Sequence, residues 1–194
     1  MMMLGLLTGV LGLPVAIAIL LILTEHGPPA RVRWAVSLTA GVTALCALGL
    51  LPFAGQVPPL TLTWLPTAGP MRLSLATTSL FAITATAAAA VVVYGVGSSI
   101  DLGPRASYQG ALTLVALAAG NLAFLSGHFL LRYLALEIVG LCVGAAPLLE
   151  SGGRERFVHA GWVYLLLRFG DAGLLTAILL LDRKSTRLNS SHYS

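Results

Sequence analysis

Apolar residues come in long runs along this chain, separated by short polar stretches, so the pattern neither alternates at period two nor marks a single helix stripe. The first run, residues 4–23, matches the roughly 20 residues a helix needs to cross a bilayer. Further runs follow at about 34–51, 73–96, 109–125, 128–149 and 157–181. The pattern predicts an all-α integral membrane protein with about six transmembrane helices.

Punctuation within and between the runs refines this reading. Pro14 interrupts the first run, which a membrane helix tolerates when a neighbour satisfies the carbonyl that the proline frees. No Lys or Arg precedes Arg31, so the run lacks the positive start of a signal peptide and is expected to stay as a helix. Between the second and third runs, Pro58, Pro59, Pro66 and Pro70 rule out a continuous helix. The β-like LTLTWL there predicts a short interfacial hairpin or extended segment, with Trp64 as an anchor. The third run is rich in Ala and Thr and predicts close packing, with Tyr94 placed for the interface. In the fourth, Asn121 is the only strongly polar side chain after Gln109 at its start.

Composition agrees with the pattern: 57% of residues are hydrophobic and 9% charged, against about 25% charged in soluble domains. The net charge of +4 adds little, because no Lys/Arg run offers a nucleic-acid surface. The expected partners are the lipid bilayer and other membrane subunits, not nucleic acid. Cys46 and Cys142 each stand alone inside an apolar run and are expected to be packing residues, with no disulfide, metal site or cofactor.

The charges inside the runs carry the candidate chemistry. Glu137 lies near the middle of residues 128–149, where a charge costs about 2.5–3.5 kcal/mol on insertion scales and normally faces protein or water. Gly140 and Gly144 share its face in a small-xxx-small pattern, so that face is expected to meet other helices. In the last run Arg168 and Asp171 are three apart and can pair within one helix, with Tyr164 and Gly161 continuing their face. Two readings stay open for these residues: an ion pathway, or a neutral Glu and a self-satisfied Arg–Asp pair that only lock helices together.

Basic residues set the expected orientation. The loops after the first, third and fifth runs hold Arg31, Arg33, Arg105, Arg154 and Arg156, whereas the other side holds Arg72 and Arg132. The positive-inside rule then places the N-terminus outside.

Three stretches together resemble the large antiporter-like subunits of respiratory complex I and their relatives in multisubunit cation/proton antiporters and membrane-bound hydrogenases. They are LTLTWLP followed by a helix ending VVVYGVG, then NLAFLSGHFLLRYLALEIVGLCVG, then YLLLRFGDAGLL. The resemblance covers about residues 58–181. It implies the N-terminal part of a larger helical bundle, in a bacterial or archaeal cytoplasmic membrane, that translocates protons or sodium within a complex I-like NADH:quinone oxidoreductase. A cation/proton antiporter, a hydrogenase or an inorganic-carbon-uptake complex is the implied alternative. Glu137 matches the family's essential helix-five glutamate, and Arg168 and Asp171 match the charged pair that modulates it. The sequence departs from the family at Leu136, where a Trp is usual, and at ATTS (76–79), where an Asp-Gly-Leu-Ser-like element is usual. The family's partner lysine on a seventh helix has no counterpart, since no Lys precedes Lys184. With no iron–sulfur cysteine cluster and no dinucleotide fingerprint, redox work is expected in partner subunits. Residues 182–194, DRKSTRLNSSHYS, resemble a translated sequencing adapter and are expected to be a non-native tail.

Overall fold

A computed structural model of the chain describes residues 2–24, 28–56, 60–62, 71–96, 105–149, 158, 161–170, 172–173 and 176. Five helices carry the architecture: α1 (Met2–Leu23), α2 (Pro29–Leu50), α3 (Thr77–Val91), α4 (Ala106–Leu125) and α5 (Phe129–Leu149). Residues 161–170 add a further helical segment. Among the described residues, five helical stretches are long and apolar enough to cross a bilayer; at 22 residues, α1 is about 33 Å long at 1.5 Å per residue.

The distribution of side chains inverts that of a water-soluble helix. In α2 the buried face holds Ser37, Thr39, Ala40, Thr43 and Ala47 beside Val32, Val36 and Leu50. Its outward face presents Trp34, Leu38, Val42, Leu45 and Leu48. Large apolar groups outside and small or hydroxylated ones inside suit a lipid solvent, where close approach, not hydrophobic segregation, drives helix association. Two of the buried hydroxyls fold back on their own helix: Thr39 Oγ1 donates to the Ala35 carbonyl at 2.6 Å and Thr43 Oγ1 to the Thr39 carbonyl at 2.8 Å. The chain is a helical membrane protein.

Helix α1 packs against α2 and α4, α2 also packs against α3, and α5 packs against α4. Gly110 of α4 marks the tightest junction. A Cβ there would stand 2.6 Å from Val32 Cγ1, 3.1 Å from Val36 Cγ2 and 3.2 Å from Leu21 Cδ1, so the missing side chain lets three helices meet.

Helix starts differ from the apolar runs where proline or strand pairing intervenes. Helix α2 begins at Pro29 rather than near residue 34, because a proline at the first helical position has its φ preset and needs no hydrogen-bond acceptor. Helix α3 begins at Thr77 rather than near residue 73, because Leu73 belongs to a strand. That strand, β2 (Met71–Leu73), pairs antiparallel with β1 (Leu60–Leu62), as the proline-rich stretch predicted. The hairpin docks on the α4–α5 turn: Ser74 N–H donates to the Leu125 carbonyl at 2.8 Å and Gly127 N–H to the Arg72 carbonyl at 2.7 Å. A Cβ on Gly127 would come within 3.2 Å of that same carbonyl oxygen, which is why a glycine fits here. Trp64 and the tail at 182–194 lie outside the described residues.

Pro14 and Asn121 explain each other. Pro14 cannot donate to the Val10 carbonyl one turn back, leaving a bare acceptor in the bundle. Asn121 of α4, fully buried, donates from Nδ2 to that carbonyl at 3.0 Å. Replacing Asn121 with Leu is expected to cost about 1–2 kcal/mol in detergent-micelle unfolding, within the range for polar contacts between membrane helices. In a Pro14→Ala background, where the restored backbone N–H serves the Val10 carbonyl, the same replacement is expected to cost less. Equal costs in the two backgrounds would refute this pairing.

Candidate functional site

The site is built on the facing sides of α5 and the helical segment 161–170. Gly144 of α5 sits against Tyr164, with the position of its missing Cβ 3.5 Å from Tyr164 Cδ2. Glu137, two turns earlier on α5, meets Arg168, one turn later on the segment. Contacts that descend one helix while ascending the other make the two antiparallel. Gly140 touches nothing within 4 Å of where its Cβ would be, so only Gly144 of the expected small-residue stripe forms a close contact among the described residues.

At the centre of this face Arg168 Nη1 donates to Glu137 Oε2 in an ion pair. The Arg168 guanidinium carbon also lies 4.9 Å from the centroid of the Tyr164 ring, within cation–π range. Tyr164 and Gly144 thus form a stack that holds the guanidinium toward α5. The Glu137 side chain keeps 14% of its surface exposed and that of Arg168 33%, so the carboxylate is the deeper partner. Its second oxygen, Oε1, is buried and has no hydrogen-bond partner among the described residues. A carboxylate with one oxygen held and the other bare has an open position for a proton, a water or a small cation.

The sequence placed Arg168 with Asp171 within one helix; Asp171 lies outside the described residues. The pairing of Arg168 with Glu137 across two helices was not anticipated. One signal for it is in the numbering: the midpoint between 137 and 168 falls at Gly152 and Gly153, in the polar stretch ESGGRER between two apolar runs. Two helices folded back about that point bring 137 and 168 to equal depth.

Neither a protein-family model nor a curated protein matches this chain. Among the described residues no group of His, Cys, Asp or Glu is placed to hold a metal ion, and Cys46 and Cys142 are both unbridged.

Arg132, the other cation near α5, has a structural duty. Its Nε donates to the Ala123 carbonyl at 3.2 Å and its Nη2 to the Ser126 carbonyl at 2.8 Å. These carbonyls belong to the C-terminal end of α4, whose last acceptors have no partners within the helix. A cation there also complements the helix dipole. Arg132 thus caps α4, while Arg168 is directed to the carboxylate.

Proposed function

We propose that this chain is an ion-translocating membrane subunit of a larger complex and that Glu137 carries the ion, a proton in the first instance. The observation that supports the reading is the Glu137–Arg168 pair between two apolar helices, with Glu137 Oε1 buried and unpartnered among the described residues. Burial penalises the charged carboxylate, while the guanidinium favours it. With those effects opposed, a small displacement of Arg168 changes which protonation state is favoured, and a proton can be taken up or released. The carboxyl group gains a proton at an oxygen when Arg168 withdraws and loses it to a neighbouring acceptor when Arg168 returns. Asp171, at the next turn of the sequence, is the group toward which Arg168 would move.

Together with the sequence resemblance, this favours a complex I-like NADH:quinone oxidoreductase as the host complex, with the N-terminus outside a bacterial or archaeal cytoplasmic membrane. The chain then supplies the ion path, and electron transfer belongs to other subunits. Purification of the tagged chain in a mild detergent is expected to bring down redox subunits bearing iron–sulfur clusters. Recovery of cation-antiporter subunits without redox partners would replace this host by the antiporter alternative.

A further inference from the structure

Away from the Glu137 face, a cleft of about 140 Å³ opens between the first turns of α2 and the π-helical turn Val92–Val96 that ends α3. Ala30, Arg33, Trp34, Ser37, Tyr94 and Gly95 line it. We propose that this cleft binds the phosphodiester headgroup of an anionic phospholipid.

Four observations converge on that occupant. The first is a polar group with nothing to bond: Ser37 is only 9% exposed, and its hydroxyl makes no hydrogen bond among the described residues while facing the cleft. Gly95 keeps the space beside it open, since a Cβ there would stand 2.9 Å from Ser37 Oγ. The second is charge, because Arg33 lines the cleft and Arg31 lies two residues before it on α2, which favours an anion.

The third is depth. Ser37 lies about 12 Å along α2 from its start at 1.5 Å per residue, so the cleft runs from the helix end into the apolar zone, as a headgroup with its glycerol does. The fourth is the outer wall, where Trp34 is 68% exposed and offers an amphipathic ring at the interface for the start of an acyl chain. The cleft is many times the roughly 10–15 Å³ that a single water needs on the same measure, room for a phosphodiester with the acyl chains outside along α2. Tyr94 is fixed as a wall by its hydroxyl, which hydrogen-bonds Thr113 of α4 at 2.5 Å.

Native mass spectrometry of the whole chain in detergent micelles, with phosphatidylglycerol and phosphatidylcholine of identical acyl chains, tests the assignment. Phosphatidylglycerol is expected to be retained over phosphatidylcholine, and Arg33→Gln to lower that retention about fivefold, the scale of one basic residue at a membrane surface. Ser37→Val, which leaves the charge unchanged, is expected to lower it too, while Arg31→Gln, outside the cleft, has the smaller effect. Equal retention of the two lipids would overturn the proposal. So would an Arg31→Gln effect as large as that of Arg33→Gln with Ser37→Val silent, which would mean diffuse surface charge. Displacement of the lipid by inorganic phosphate alone would assign the cleft to a free anion and overturn it equally.

Discussion

Replacing Glu137 with Gln is expected to reduce proton translocation by the complex to background while leaving the chain folded in the membrane. Glutamine keeps the shape of the side chain and an oxygen that accepts from Arg168 Nη1, so the contact across α5 and the segment 161–170 survives. Arg168 also retains the Tyr164 ring. What disappears is the group that can bind and release a proton, since an amide does neither near neutral pH. Dye-reported proton uptake in vesicles, beside the amount of chain in the membrane, measures both halves of this expectation. Unchanged uptake would leave the pair as a lock between helices and nothing more. Loss of the chain from the membrane would instead assign Glu137 a structural role.

The second large effect is expected at Arg168. Replacing it with Met preserves much of the side-chain length and apolar stem but leaves Glu137 buried without its cation. Removing one member of a buried ion pair costs about 3–5 kcal/mol. The Arg168 side chain keeps 33% of its surface uncovered by the rest of the described chain, so Met can be accommodated there without a clash. In the double variant Glu137→Gln, Arg168→Met, the bare carboxylate is gone and most of the loss is expected to be recovered. Unfolding in detergent micelles gives the four stabilities of this cycle. Additive losses would show that the two side chains do not interact.

Much of the fold was legible because the bilayer restricts what a chain can do. A spanning segment must satisfy its own backbone and be apolar over about 20 residues, and both conditions are written locally. The runs at 4–23, 109–125 and 128–149 accordingly coincide closely with α1, α4 and α5. The start of α2 was misplaced because hydropathy reads Arg31 and Arg33 as loop residues, whereas Pro29 begins the helix ahead of them. In the same way the apolar Leu73 concealed the end of a strand.

Pair-level chemistry was less legible. Pro14 announced a bare carbonyl, but nothing local identified Asn121 as its donor, 111 residues away from Val10. Glu137 stands out by its cost in a membrane, and the three-residue spacing to Asp171 offers Arg168 a partner within its own segment, but neither signal points from Arg168 to Glu137. The Glu137–Arg168 pair spans 31 residues and depends on how two helices fold back on each other. Ser37 gave no signal, since a serine in a membrane helix normally bonds its own backbone. Its significance comes from Gly95 and Tyr94, contributed by the end of another helix.

The most direct test of the central claim is whether Glu137 changes protonation during turnover. Infrared difference spectroscopy of the assembled complex, with and without its driving substrate, reads the carboxyl C=O stretch of a glutamic acid that gains or loses a proton. A carboxyl difference band that shifts on isotopic labelling of Glu and vanishes in Glu137→Gln is the predicted result. Identical difference spectra for the wild type and Glu137→Gln would contradict the claim that Glu137 carries the proton.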